Sequence, residues 1–170
     1  MLSTAGQALK ARAGEIPRQI AASTGCSLDE LAADYAAIYL NNSLGASPYE
    51  SVWLSDDHLA CAAPMFELRE LYAAAGLRAA DWRSRFDDHF VLQLQYLQHL
   101  LHVPAEGRQA ASFIDEHVGY WFPDFAQRVS LFCATSFYAA LAELTHVWLQ
   151  RLRGVLGEIN DLPIPSRDEM

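Results

Sequence analysis

Asp88 and His89 are adjacent residues whose side chains could perform acid–base chemistry together. A carboxylate near an imidazole orients the ring and raises its pKa, so such a pair can move a proton near neutral pH. Adjacent residues on a helix do not face each other, however, and an aspartate before an apolar run commonly caps a helix. A small helical enzyme and a simple helix cap both remain open as interpretations.

His99, His102 and Glu106 come nearest to the spacing of a metal site. Histidines three positions apart share a helix face, and the carboxylate could join them. No obvious fourth ligand accompanies them, and histidines on amphipathic helices are usually surface or core residues. The sequence therefore predicts no metal site.

The segment SPYESVWL, residues 47–54, places two aromatic side chains and a proline in a predicted loop. Aromatic side chains in a loop often form a recognition surface. They can equally fold back onto a helical core. Both interpretations stay open from the sequence.

The elements that must position these residues are predicted to be helices. Alternating β-branched runs are missing, and apolar residues recur at helical spacing. The predicted fold class is all-α, a single globular bundle of about six to seven helices. One domain is expected from residue 1 to 159, followed by a flexible tail from 160 to 170.

Capping and breaking residues predict the helix boundaries. A first helix is expected from Thr4 to Ala22, and a second begins at a capping box formed by Ser27 and Glu30. Later helices are expected to begin at Pro64, Asp87–Asp88, Pro104, Pro123 and Ser136. Long loops are expected over residues 41–52 and 77–86.

Helical spacing also predicts which side chains are buried. The residues expected to face the core are Leu28, Leu31, Tyr35 and Ile38, then Phe90, Leu94, Leu97 and Leu101, then Phe137, Leu141, Leu144, Trp148, Leu152 and Val155. The cysteines Cys26, Cys61 and Cys133 are odd in number, far apart and set among apolar residues, which indicates buried free thiols; a disulfide or zinc site stays open.

Charge and composition limit the classes of function that the chain can have. The net charge of −9 disfavours nucleic acid and favours a basic ligand such as an arginine-containing peptide. No nucleotide loop, paired CxxC or HExxH motif is present. Lys10, Arg12 and Glu15 interrupt the apolar stretch near the N-terminus, so export is not expected. The longest apolar segment, 90–101, is too short and too polar to span a bilayer. A cytoplasmic protein is expected.

Three sequence blocks together resemble the family of redox-enzyme maturation chaperones that includes TorD, DmsD and NarJ. ADYAAIYLNNSLGASPYESVWL, residues 33–54, is similar to the family's helix followed by a P-[YW]-x-S-V-[YW] loop. FDDHFVLQLQYLQHLL, residues 86–101, resembles its P-x-D-H hinge motif, with Phe86 in place of the proline. FIDEHVGYWFPDFAQRV and SFYAALAELTHVWL resemble its H-x-x-x-W-x-x-x-F and closing helices. The part before Ala33 is shorter than the family usually has.

The resemblance implies a cytoplasmic chaperone, not an enzyme, that binds the twin-arginine signal peptide and the apo form of a molybdopterin oxidoreductase. It would aid cofactor insertion and proofreading before export. A non-exported nitrate-reductase-type subunit is an alternative client. A monomer or a domain-swapped dimer is compatible with the family. No resident cofactor is predicted, and GTP is raised by the resemblance alone.

The resemblance also assigns a peptide-binding site. Tyr49, Trp53 and Leu54 would form an apolar wall shaped by Pro48 and Ser51. Asp88, assisted by Asp87, would meet the peptide's arginines, and His89 would position the loop. The predicted site residues are Pro48, Tyr49, Ser51, Trp53, Leu54, Asp87, Asp88 and His89.

Overall fold

The computed structural model describes residues 25–41, 43–80, 85–103 and 106–163. These residues form helices and turns without a strand, so the predicted all-α fold class is confirmed. The helices are α1 (Leu28–Tyr35), α2 (Glu50–Leu54), α3 (Ala63–Ala74), α4 (Phe90–His102), α5 (Gly107–Phe113), α6 (Gly119–Phe132) and α7 (Ser136–Asn160), with π-helical turns at Ala36–Leu40 and Ile114–Val118. No helix in these ranges is both long and apolar enough to cross a bilayer.

The chain divides into two compact units. The first comprises the described residues up to Ala46 together with Phe122–Val155, and the second comprises Ser47–Trp121 together with the described residues from Leu156 onward. The single domain over residues 1–159 stays a prediction. Asn160 ends α7 rather than beginning a tail. The helix expected from Thr4 to Ala22 and the tail beyond 163 lie outside the described residues.

The start of α1 is as predicted, but its buried face is only partly so, since Ile38 is buried and two other predicted residues are exposed. Ser27 Oγ accepts from the Glu30 N–H at 3.2 Å, and the Glu30 carboxylate accepts from the Ser27 N–H at 2.8 Å, which completes the capping box. Leu28, however, is 81% exposed and Tyr35 is 46% exposed. The buried side chains are Asp34 and Ile38, because the Asp34 carboxylate is anchored to the turn before α7.

Helix α3 follows its sequence signals at both ends. Pro64 lies in the first turn, where its missing N–H costs no hydrogen bond. The helix stops before Gly76, whose φ of +72° lies in the left-handed region that favours glycine. The Leu77 N–H then donates to the Tyr72 carbonyl at 2.8 Å and closes the end.

Several predicted boundaries and faces were wrong. Residues 50–54 are helical rather than part of the first loop, and α4 begins at Phe90 rather than at the aspartates. Leu101, Leu141 and Trp148 are exposed, whereas residues between the predicted positions are buried: Gln93, Tyr96, Leu100, Ala140, Val147 and Leu149. The cysteines are free, but Cys61 is exposed and the other two are only partly buried.

Pro123 lies inside α6 rather than at a fresh helix start. The chain enters α6 through the π-helical turn Ile114–Val118, whose wider winding brings the backbone close to itself. A β-carbon at Gly119 would lie 2.4 Å from the Ile114 carbonyl oxygen. Only glycine fits this junction without displacing the backbone.

Candidate functional site

Two segments that carry the predicted peptide-binding residues are joined in the second unit. The Phe90 N–H donates to the Pro48 carbonyl at 2.8 Å, and the Glu50 N–H donates to the Asp88 carbonyl at 3.3 Å. Tyr49 and His89 thereby form an isolated antiparallel bridge. Residues 47–54 and 86–91, which we call the joined segments, therefore form one local structure.

Asp88 is the link between the joined segments. Its Oδ2 accepts from the Ser51 N–H at 2.9 Å and from the Ser51 hydroxyl at 2.5 Å. Both residues are fully buried. Burial raises the pKa of the Asp88 carboxyl above its ordinary value, although the Ser51 hydrogen bonds oppose the shift. The second oxygen, Oδ1, has no hydrogen-bond partner among the described residues.

Asp87 is also engaged within the protein. Its Oδ2 lies 2.8 Å from Arg69 Nε and 2.7 Å from Arg69 Nη2, and its carbonyl accepts from the Tyr72 hydroxyl at 3.1 Å. The Asp87 side chain is buried, whereas that of Arg69 is about half exposed. Contact of Asp87 or Asp88 with a peptide's arginines stays a prediction. For Asp87 it would require exchange of the bonds to Arg69, whereas Asp88 Oδ1 has no partner among the described residues.

His89 is the N-cap of α4. Its Nδ1 accepts from the Val91 N–H at 3.1 Å, which satisfies a free donor of the first helical turn. The imidazole meets the Tyr49 ring edge-on at 4.9 Å, and Tyr49 also meets Phe86 at 5.8 Å. The cap interpretation of the Asp88–His89 pair is therefore right for His89, while Asp88 bonds Ser51.

Trp53 folds back onto its own unit rather than projecting into solvent. Its indole N–H donates to the Ser47 carbonyl at 2.8 Å, and its ring stacks on Trp121 with 6.4 Å between centroids. Trp53 remains partly exposed, and Leu54 is 36% exposed. Both interpretations of this segment therefore hold in part. The Trp53 ring folds back onto the helices, and the exposed part of Leu54 stays accessible to a partner.

Glu50 and His117 form a buried pair that sequence reasoning missed. His117 Nδ1 lies 2.9 Å from Glu50 Oε1, and both residues are more than nine-tenths buried. Burial raises the pKa of Glu50 above its ordinary value, the bond to His117 opposes the shift, and the charge of Asp88 adds to it. Glu50 was missed because it lay in a predicted loop. His117 matched a family motif but had no role.

The raised pKa of Glu50 predicts a pH-dependent stability. The folded protein keeps a proton on Glu50 in a pH window just above 4.5, where the unfolded chain releases it. Stability therefore falls as pH rises through that window. We expect Glu50→Gln to flatten this decline and to be at least as stable at neutral pH, because an amide has no charge to desolvate and can still accept from His117.

Urea unfolding of both proteins from about pH 4.5 to about pH 8 measures this effect. Glu67→Gln, on the exposed side of α3, is the matched control. Parallel stability curves for the wild type and Glu50→Gln would contradict the prediction.

The described residues contain no group of three or more His, Cys, Asp or Glu side chains placed to hold a metal ion. His102, one of the three residues with metal-like spacing, has its Nδ1 2.7 Å from the Gln98 carbonyl in its own helix. His99, His102 and Glu106 therefore do not come together as a metal site in the described part of the chain.

Comparison with known proteins gives one family. A family model described as nitrate reductase delta subunit matches residues 4–127. A protein named chaperone protein TorD from Vibrio cholerae serotype O1 is 31% identical over 141 residues, which cover 76% of this chain and 64% of that protein. Proteins of the same name from Shewanella pealeana and Escherichia coli O8 are each 30% identical, over 75% and 71% of this chain and 61% of each relative.

The chain thus spans less than two thirds of the length of these relatives. No solved structure matches it.

Proposed function

Because the chain belongs to the nitrate reductase delta subunit family, we propose that it is a chaperone, not an enzyme, for a molybdopterin oxidoreductase. It binds the twin-arginine signal peptide of the client subunit in the cytoplasm, holds the apo form during cofactor insertion, and proofreads it before export. Its relatives are named chaperones. The whole-protein role is inferred from proteins longer than this chain.

The observation that carries this proposal is the assembly of the joined segments. The Ser51–Asp88 bond connects positions 37 residues apart and is buried, so it holds α2 against the start of α4. Leu54, Phe86 and Val91, on these segments, are each 36–40% exposed. Exposed apolar side chains on a braced frame suit the apolar stretch of a signal peptide.

Charge supports the same partner. The chain carries a net charge of −9, which attracts an arginine-containing peptide at long range. In this proposal Asp88 and Ser51 are positioning residues, Pro48 and His89 set the backbone course, and Tyr49, Trp53 and Leu54 supply contact area. No resident cofactor is proposed, and binding of GTP stays a prediction.

The enzyme alternative has less support. Asp88 Oδ2 accepts from Ser51 and the carboxylate is fully buried, and His89 Nδ1 accepts from the first turn of α4. The two groups therefore do not form an acid–base pair that faces a substrate. A non-exported nitrate-reductase-type client remains the alternative within the chaperone class, and it is distinguished by the peptide used below.

Calorimetric titration with a twin-arginine signal peptide tests the proposal. We expect micromolar or tighter binding that weakens when both arginines are changed to glutamine. Leu54→Ser should weaken it about tenfold, because the exposed part of the leucine side chain becomes buried on binding and serine cannot supply that apolar contact. Leu131→Ser, which alters an exposed leucine of α6, is the matched control and should bind as the wild type does.

If Leu54→Ser and the wild type bind the peptide with equal affinity, the joined segments are not the surface that binds it. Binding only to the N-terminal segment of a non-exported nitrate-reductase-type subunit would favour the alternative client. No binding to either peptide would contradict the peptide-binding proposal itself.

A further inference from the structure

A cavity of 380 Å³ lies in the second unit and is lined by none of the eight predicted peptide-binding residues. Its apolar walls include Leu71, Leu100 and Phe113, which come from α3, α4 and α5. Its ionisable lining residues include Glu106, Glu116 and His117. This volume is at the small end for a ligand site and suits one long side chain rather than a whole apolar segment.

The charged groups of this cavity are of one sign. Two carboxylates line it, and neither lysine nor arginine does. Glu106 Oε2 has no solvent exposure and no hydrogen-bond partner among the described residues. Such a carboxylate oxygen is costly to bury unless a donor or a cation accompanies it.

His117 adds a second observation that points to a ligand. Its side chain is only 9% exposed, and Glu50 holds Nδ1 at 2.9 Å, which fixes the orientation of the ring. Nε2 has no hydrogen-bond partner in the described part of the chain. When Nδ1 donates to Glu50, Nε2 can accept a hydrogen bond from a donor in the cavity.

We propose that this cavity binds the guanidinium group of an arginine from the client peptide. The guanidinium offers five N–H donors in a planar fork, which can reach more than one acceptor at once. Its methylene stem packs on the apolar walls. The inference rests on the proposed function, and it places an arginine where carboxylates lack a cationic partner, in contrast to Asp87, which already holds Arg69.

The test compares charge-neutral variants with two peptides. Glu106→Gln combined with Glu116→Gln keeps the size of both side chains and removes two charges. We expect it to bind the twin-arginine peptide about tenfold more weakly than the wild type does, and the arginine-to-glutamine peptide equally well. Glu67→Gln combined with Glu158→Gln removes the same charge from exposed positions and is the matched control.

A second readout follows the imidazole. Binding of the twin-arginine peptide should change the chemical shifts of the His117 imidazole, and the arginine-to-glutamine peptide should leave them unchanged. An arginine-dependent affinity that is the same in both double variants, with the His117 resonance unmoved, would overturn the cavity inference and leave the proposed function standing. No binding of the twin-arginine peptide to the wild type would overturn both.

Discussion

Asp88→Ala is expected to lower the free energy of unfolding by about 3 kcal/mol. The substitution removes the acceptor for both the N–H and the hydroxyl of Ser51, and Ser51 is fully buried, so two donors lose their partner without gaining water. The loss should release α2 from the start of α4. Peptide affinity should fall with it, because Leu54 and Trp53 lie on α2.

Urea unfolding measures the stability change, and Asp56→Ala, at an exposed position in the turn after α2, is the control. An Asp88→Ala protein as stable as this control would contradict the bracing role.

Asp88→Asn separates bracing from direct charge contact. An amide oxygen can still accept from Ser51, and the raised pKa of the Asp88 carboxyl shows that burial already disfavours its charge. We therefore expect a stability loss below about 1 kcal/mol and an affinity for the twin-arginine peptide within about threefold of the wild type. A tenfold or larger loss of affinity in a folded Asp88→Asn protein would instead support the direct arginine contact predicted from the sequence.

Asp34→Ala should lower the free energy of unfolding by about 3 to 4 kcal/mol. In the first unit, the Asp34 carboxylate accepts from the Ala134 N–H at 2.9 Å, the Thr135 N–H at 2.7 Å and the Thr135 hydroxyl at 2.6 Å. These bonds tie α1 to the turn that precedes α7, and Asp34 is only 4% exposed. Removing the side chain leaves donors at the start of α7 without their acceptor.

The effect of Asp34 should depend on pH. Burial alone raises the pKa of its carboxyl, but the hydrogen bonds from Thr135 and Ala134 outweigh burial and hold the pKa below the ordinary 3.8. The stabilisation is thus present above that value and is lost as pH falls through the folded-state pKa.

The difference in unfolding free energy between wild type and Asp34→Ala should accordingly shrink only in strong acid. Asp29→Ala, exposed on the same helix, is the control. A variant as stable as this control at neutral pH would show that the Asp34 bonds contribute nothing.

The carboxylates of the second unit make different interactions. Asp88 braces the joined segments, Asp87 holds Arg69, and Glu50 orients His117. Glu106 and Glu116 line a cavity that contains no lysine or arginine. A peptide carrying arginines would therefore gain most from the carboxylates that are not already committed, because breaking an existing buried pair has its own cost.

The sequence by itself determined the features that depend on neighbouring residues. The capping box at Ser27, the left-handed stop at Gly76 and the start of α7 at Ser136 each involve groups within a turn or two of the chain. The all-α class and the family followed from helical spacing and from three blocks in order. Such local patterns, and the order of the blocks along the chain, can be recognised from one sequence without knowledge of distant contacts.

The tertiary structure decided which side chains are buried and what the charged ones bind. Leu28 is exposed and Asp34 buried because the partners of Asp34 lie a hundred residues away, at Ala134 and Thr135. Asp88 is a brace rather than a surface charge because Ser51 reaches it from 37 residues away, and Glu50 meets His117 across 67 residues. Helical periodicity carries no information on such distant partners, and in a low-dielectric interior the partner decides what a charged group can do.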